Sequence, residues 1–175
     1  DPDASVYWLA RMIEAGEDPL FIARRLVILA AEDVGMADPH ALSVAMAAQQ
    51  AVHFVGMPEG RIPLAEATVY LAAAPKSNSA YTAIDAALND VKKTRNEPVP
   101  LHLRNPVTDL TRRMGYGEGY QYAHDHDAHF APMQNMPESL KGRRYYTPSD
   151  QGYEKEAAER LRRWWGEQKE RPANA

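Results

Sequence analysis

The 175-residue sequence contains no cysteine, which excludes disulfide bonds, thiolate catalysis and zinc sites built from cysteine. It also contains no run of 18 apolar residues, the length from which a membrane-spanning helix is recognised. Aromatic residues are scarce, at 9% of the sequence, although hydrophobic residues make up 45%. Alanine supplies much of that share, and alanine favours helices over strands. The composition therefore predicts an all-α fold suited to a reducing compartment such as the cytoplasm.

The motifs of nucleotide-binding and hydrolytic enzymes are missing as well. No glycine precedes a lysine, so the sequence lacks the P-loop that holds nucleotide phosphates. It contains neither G-x-S-x-G nor H-E-x-x-H. We therefore expect no catalytic residue, no bound cofactor and no enzyme activity in this chain. Because it begins at Asp1 rather than at a methionine, we expect a fragment that lacks an N-terminal part.

The net charge of −4 is unevenly distributed. Residues 1–74 carry a net charge of −6, whereas residues 75–175 carry +2. Proteins that bind the phosphate backbone usually present a strongly basic surface. Neither half of this sequence is strongly basic, so the charge does not favour nucleic-acid binding.

Three Asp-Pro pairs begin at Asp1, Asp18 and Asp38. An aspartate can cap a helix start, and a proline at the first helical position loses no hydrogen bond. Together with the apolar spacing, these pairs predict a series of helices. The predicted helices cover residues 4–15, 19–33, 39–55, 63–74, 79–95, 107–114 and 153–169. In the fifth we expect Tyr81, Ile84 and Leu88 on the inner face.

The predicted helices are unevenly spread, which divides the chain into three segments of one structural domain. Residues 1–96 form a helical core, and residues 97–152 form an extended, irregular segment packed on it. Residues 153–175 form a C-terminal helix with a frayed tail. We therefore predict a compact bundle of about five to seven helices. An irregular segment of this length is uncommon in a compact domain unless it is functional or covers a surface.

Histidine and aspartate cluster in the irregular segment at His124, Asp125, His126, Asp127 and His129. Both residue types bind zinc and other divalent ions. However, neighbouring side chains on an extended chain point in opposite directions, and the spacing matches no familiar ligand motif. We therefore interpret the cluster as a polar loop and predict no metal site. A metal-dependent enzyme centred on His124, His126 and His129 is the less favoured hypothesis.

A basic turn follows, in which Lys141, Arg143 and Arg144 precede Tyr145 and Tyr146. Proteins that bind single-stranded nucleic acid combine cations and aromatic rings in this way. A short exposed turn with solvated charges is the simpler interpretation. Arg143 and Arg144 are nevertheless candidate contacts with a partner or nucleic acid.

Trp164 and Trp165 adjoin each other in the last predicted helix. Neighbouring side chains on a helix point about 100° apart, so the two indoles do not face the same core. We expect one of them to be available for a subunit or partner. The alternative is that both pack at two edges of the domain's own core.

Several blocks of the sequence resemble one protein family. They are residues 5–19, 22–26, 31–39, 74–78, 100–105, 115–120, 122–125 and 142–146. They resemble the C-terminal part of the replication-associated recombination protein A family, also called MgsA. Its members are clamp-loader-like AAA+ ATPases similar to the eukaryotic Werner-helicase-interacting protein. The chain departs from the family pattern at residues 126–129.

The resemblance implies a helical oligomerisation region, placed after an ATPase core and associated with a homotetramer. It implies a parent that is a DNA-dependent ATPase acting at stalled replication forks with single-strand-binding protein. The implied location is the bacterial cytoplasm at the nucleoid, without a membrane. ATP and magnesium would be held in the core upstream, so no catalytic residue is carried over. Our first hypothesis is an assembly module, and the alternative is a module that binds DNA or a replication protein.

Overall fold

A computed structural model describes residues 1–94 and 96–166. This part of the chain contains α-helices, short 3₁₀ and π turns and no strand, which confirms the predicted all-α fold. None of its helices combines the length and the apolar character needed to cross a bilayer. The α-helices are α1 (Pro2–Glu14), α2 (Pro19–Leu29), α3 (His40–Val55), α4 (Arg61–Ala73), α5 (Ser79–Lys93), α6 (Asp109–Arg113) and α7 (Glu154–Trp165).

Asp1 and Asp18 cap α1 and α2 as predicted, whereas Pro39 rather than Asp38 is the residue that precedes α3. The Asp1 carboxylate accepts a hydrogen bond of 3.1 Å from the backbone N–H three residues later. Asp18 and Asp38 accept hydrogen bonds of 3.0 and 3.1 Å from the N–H two residues later. Each bond satisfies an N–H group that has no partner within its own helix.

The second helix ends differently from the prediction. Regular α-helix stops at Leu29, and a π turn (Ala30–Val34) continues the chain. Gly35 has a positive φ of 49°, but its ψ of −132° lies outside the left-handed helical region. The Ser77 N–H donates to the Asp33 carbonyl at 2.8 Å. A Cβ at Gly35 would lie 2.4 Å from the Ser77 carbonyl oxygen, so a side chain there would block this approach.

Contacts divide the chain into two units, and the first comprises residues 1–85 and 146–158. Within it, α4 packs against α1, α2 and α3, and α2 also packs against α3. The buried face of α3 consists of Ala41, Ala45, Ala48 and Val52, a spacing that places them on one side of a helix. Its small side chains allow neighbouring helices to approach closely. Two clusters form the core: Leu9, Ile22, Ala23, Val52 and Leu64, and Ala30, Val34, Ala41, Ala45 and Leu71.

The second unit comprises the described residues from Ala86 to Tyr145 and from Glu159 onward. It contains the later part of α5, α6, four short 3₁₀ turns and the later part of α7. The division into segments at residues 97 and 153 stays a prediction. The end of the last predicted helix and the predicted frayed tail lie outside the described residues, because the description stops at Gly166.

Glu154, the first residue of α7, has a fully buried side chain. Its carboxylate accepts hydrogen bonds from the hydroxyls of Ser77 at 2.6 Å, Tyr146 at 2.9 Å and Ser149 at 2.5 Å. The Ser79 hydroxyl and the Ser149 backbone N–H, the latter at 2.8 Å, also donate to it. The buried charge is therefore compensated by hydrogen-bond donors from residues 77–79 and 146–149.

The backbone just before Glu154 lies against the loop that follows α2. The Tyr153 N–H donates to the Ala37 carbonyl at 2.8 Å. Gly152 has a φ of 48°, and a Cβ there would lie 2.0 Å from the same carbonyl oxygen. Only glycine fits this position, because any side chain would collide with Ala37.

The pKa of Glu154 reflects two opposing effects. Burial raises it, but the hydrogen bonds from Ser149, Ser77 and Ser79 outweigh burial and lower the pKa to about 2. The ordinary glutamate pKa is 4.5. Below that pH the unfolded chain binds a proton that the folded chain does not bind until about pH 2. The ionised carboxylate therefore stabilises the fold above pH 4.5, and this contribution is lost as the pH falls towards 2.

The substitution Glu154→Gln tests this linkage. We expect the free energy of unfolding at pH 7 to fall by about 2–3 kcal/mol, because the ionised acceptor of these bonds is lost. The variant should also lose much of the decline in stability between pH 4.5 and pH 2. Urea unfolding followed by circular dichroism at several pH values measures both effects. Asp150→Asn, at an exposed neighbouring carboxylate, is the control. If the unfolding free energies of Glu154→Gln and wild type fell equally between pH 4.5 and pH 2, Glu154 would not be the group responsible for the decline.

Candidate interaction surfaces

The apolar stripe of α5 lies on the exposed side of the helix. Tyr81, Ile84 and Leu88 are 45%, 54% and 47% exposed, so the prediction that they form the inner face is wrong. Val91, one turn further, is 66% exposed. We call these four residues the α5 stripe. Their spacing of three, four and three residues matches the a and d positions of a coiled coil.

The opposite side of α5 explains the difference from the prediction. It carries the buried side chains of Ser79 and Asp90 and the half-buried Ala83. Ser79 donates to Glu154, and Asp90 accepts from Arg143, so polar partners determine which side is buried. The helix is amphipathic, but its larger apolar side chains face outward.

A second exposed apolar surface lies on α1. Tyr7 is 56% exposed and Trp8 61% exposed, and their rings meet edge to face with centroids 5.3 Å apart. Met12, one turn after Trp8, is 40% exposed. Clusters of large exposed apolar side chains frequently mark protein-binding surfaces.

Arg143 is engaged by residues of its own unit. The Arg143 Nε lies 2.5 Å from Asp90 Oδ2, and the Arg143 Nη2 lies 3.3 Å from Asp90 Oδ1. The Tyr145 hydroxyl donates to the same carboxylate at 3.1 Å, and the guanidinium lies 5.8 Å from the Tyr145 ring centroid. Hydrogen bonding from Arg143 holds the pKa of Asp90 below its ordinary value, although burial opposes this effect.

This pairing changes the interpretation of the basic turn. The simpler interpretation, a solvated charge run, is wrong for Arg143, because its charge is neutralised by a largely buried carboxylate. Arg144 is half-buried. That Arg143 and Arg144 contact a partner or nucleic acid stays a prediction. Asp90 was not predictable as the partner, because it lies 53 residues from Arg143 and carries no local signal of the pairing.

The two adjacent tryptophans contact the same phenylalanine. The Phe130 ring stacks on Trp164 with centroids 5.2 Å apart and meets Trp165 edge-on at 4.9 Å. Both indoles therefore have an aromatic contact within their own unit, and the expectation that one of them is available for a subunit or partner stays a prediction. Trp164 is still 37% exposed, and its contact with a partner stays a prediction, as does that of Trp165.

Two histidines of the cluster, His124 and His129, lie close together in the fold. The rings of His124 and His129 lie 4.9 Å apart, and the Tyr122 ring lies 5.1 Å from His124. Ala128 and His129 have positive φ values of 56° and 52°, which turn the chain back at this point. No group of three or more potential ligands in the described residues could hold a metal ion. The geometry thus gives no support to the hypothesis of a metal-dependent enzyme.

Comparison with known proteins places the chain among AAA+ ATPase C-terminal regions. A family model described as MgsA AAA+ ATPase C terminal matches residues 1–165. The chain is 49% identical over 168 residues to the replication-associated recombination protein A of Escherichia coli K12, covering 95% of this chain and 37% of that protein. Identity to the protein of the same name in Coxiella burnetii is 48% over 162 residues, with 92% and 37% covered. The chain spans little more than a third of the length of these relatives.

A eukaryotic relative shows the same relationship. The chain is 44% identical over 147 residues to the ATPase WRNIP1 of Dictyostelium discoideum, covering 83% of this chain and 17% of that protein. The resemblance that the sequence blocks indicate is therefore confirmed.

The substitution Phe130→Leu tests the aromatic contacts with Trp164 and Trp165. Leucine keeps most of the apolar volume but loses one stacked and one edge-on contact, so we expect a loss of about 1–2 kcal/mol in unfolding free energy. Urea unfolding followed by tryptophan fluorescence measures this loss. Phe130→Tyr keeps the aromatic ring, so its unfolding free energy should stay close to that of wild type. Equal stability of Phe130→Leu and wild type would contradict a stabilising role for these contacts.

Proposed function

Because the chain belongs to the MgsA AAA+ ATPase C-terminal family, we propose that it assembles its parent ATPase into a homotetramer. The part of the relatives that this chain does not span is the expected place of the ATPase core, with its ATP and magnesium. The proposal includes a parent that hydrolyses ATP in a DNA-dependent way at stalled forks. Single-strand-binding protein and DNA are its proposed partners, and the bacterial cytoplasm at the nucleoid is its proposed location.

The α5 stripe is the observation that carries this proposal. Its four side chains are 45% to 66% exposed although all are large and apolar. Removing apolar surface from water contributes about 25 cal/mol for each Å². A stripe with coiled-coil spacing is a surface on which a second helix can pack along its length. Assembly is the simplest means of burying it.

Tetramer symmetry requires more than one such surface. Tetramers with dihedral symmetry contain two different two-fold interfaces, each formed by the same patch on both subunits. The α5 stripe supplies one apolar patch. The exposed aromatic residues Tyr7 and Trp8 on α1 supply another. Two separate apolar patches on one chain are therefore consistent with a tetramer.

Binding of DNA or a replication protein through Arg143, Arg144, Trp164 and Trp165 is the second proposal. The 37% exposure of Trp164 supports it, because a stacked, partly exposed indole offers a platform for a base or an apolar side chain. The pairing of Arg143 with Asp90 weakens it, because that cation is already neutralised. We therefore favour assembly.

The double substitution Ile84→Glu with Leu88→Glu tests the assembly function. Two charges in the stripe should weaken subunit association about a hundredfold, because both carboxylates would have to be desolvated. Sedimentation velocity at micromolar concentration measures the mass, and circular dichroism checks that the helices remain. Asn89→Glu places one charge on an exposed position of the same helix beside the stripe and should leave the mass unchanged.

Two outcomes would count against the proposal. A wild-type chain that is monomeric at every concentration tested rejects assembly by this domain. A wild-type oligomer whose mass is unchanged in the double variant shows that the α5 stripe is not an interface.

A further inference from the structure

A groove runs between α1 and α4 within the first unit. It has a volume of about 480 Å³ and is lined largely by apolar side chains, with Ala10 and Ile13 on the α1 side and Ile62 and Ala65 on the α4 side. Ile62 is 60% exposed, so the apolar lining is open to solvent. All of these residues belong to the first unit, so the groove is formed within a single body.

Two carboxylates stand on the α1 edge of this groove. Asp3, Ala10 and Glu14 follow one another at intervals of seven and four residues, which places them in one row along the helix. Ala10 and Glu14 line the groove, and the row continues to Asp3 in the first turn. Both carboxylates belong to exposed residues. The apolar groove therefore has acidic groups near both ends of its α1 edge.

Salt bridges do not neutralise these two carboxylates within the described part of the chain. Asp3 and Glu14 take part in none of the salt bridges found there, although Arg11 lies on the same helix. Of the described residues that line the groove, only Arg61 is a cation, and its Nη1 donates to a carbonyl of the preceding loop at 2.6 Å. Residues 1–74, which contain the whole groove, carry a net charge of −6. The groove therefore favours a positively charged ligand.

The groove has the dimensions of a site for a helix. Its α1 wall, from Val6 to Ile13, extends over about two helical turns, or about 10 Å. Asp3 and Glu14 lie about 16 Å apart along the helix, because each residue adds about 1.5 Å. An amphipathic helix of about three turns covers this length and lays its apolar face into such a groove. Lysine or arginine residues at the border of that apolar face come within reach of both carboxylates.

We propose that the groove between α1 and α4 binds an amphipathic, basic helix of a partner protein. The apolar side chains of that helix contact Ala10, Ile13 and Ile62, and its cations pair with Asp3 and Glu14. Nucleic acid and anionic lipid are unfavourable occupants, because the same carboxylates repel their phosphates. The interaction does not use the α5 stripe, so it is tested apart from the proposed assembly function.

Titration of the whole chain with a model peptide tests the inference. The peptide is a fluorescein-labelled helix of about 18 residues in which leucines form one face, lysines border that face and alanines fill the rest. We expect one peptide to bind per chain, with an anisotropy change that saturates and a Kd that rises with the salt concentration. The same peptide with glutamate in place of lysine should bind at least about tenfold more weakly.

Substitutions in the groove distinguish this site from unspecific binding. Ile62→Ser removes apolar surface from the α4 wall and should raise the Kd at least about tenfold. Asp3→Asn combined with Glu14→Gln should raise the Kd about fivefold at low salt and flatten its salt dependence. Val107→Ser, at a residue of the second unit that is 81% exposed, and Asp150→Asn, at an exposed carboxylate, are the matched controls and should bind as wild type. Circular dichroism checks that the helices remain in every variant.

The opposite results would overturn the proposal. A wild-type chain that shows no saturable binding up to about 100 μM peptide has no such site. An acidic peptide that binds as tightly as the basic one, or an unchanged Kd in the double variant, contradicts the charge pairing. Equal Kd values for Ile62→Ser and Val107→Ser show that the peptide binds outside the groove. If the chain binds no peptide but Ile62→Ser lowers its mass in sedimentation velocity, a second copy occupies the groove, and the assembly function stands without this proposal.

Discussion

The buried Glu154 carboxylate is the interaction on which the first unit depends. Moving a charge out of water is costly unless it is fully hydrogen-bonded. Here the compensation comes from hydroxyl and backbone donors of Ser77, Ser79, Tyr146 and Ser149 rather than from a cation. The bonds join the segment before α5 to the segment that opens α7. They also determine which side of α5 is buried, because Ser79 belongs to that helix, and hence which apolar residues face solvent.

Local features of the fold were predictable from the sequence, and features with distant partners were not. Aspartate caps such as those at Asp1 and Asp18 act within three residues, so composition and spacing reveal them. An amphipathic pattern shows that a helix has two faces but not which face is buried, and this is why the prediction for Tyr81 and Ile84 was wrong. The partner of Arg143 lies 53 residues away and has no signal in its neighbourhood.

The candidate interaction surfaces also depend on partners that are distant in the sequence. Arginine and tyrosine together resemble a nucleic-acid site in the sequence, yet in the fold Arg143 and Tyr145 share a carboxylate of α5. Trp164 and Trp165, whose packing the sequence did not determine, both contact Phe130 of the irregular segment. The large apolar side chains that stay exposed include those of α1 and α5, beside others such as Phe54 and Val107. Burial of the α1 and α5 surfaces between copies of the chain is the proposed explanation for their exposure.

The sequence separation within the Glu154 cluster has a consequence for synthesis. Ser77 and Ser79 precede their acceptor by 77 and 75 residues. At 5–20 residues per second a ribosome needs about 4–15 s to make that stretch. During this time the residues of α1 to α4 are already made. The hydroxyls of Ser77 and Ser79 still lack their acceptor Glu154, and the Ala37 carbonyl still lacks the Tyr153 N–H. The nascent chain therefore exists for several seconds without the hydrogen bonds that join residues 77–79 to Glu154.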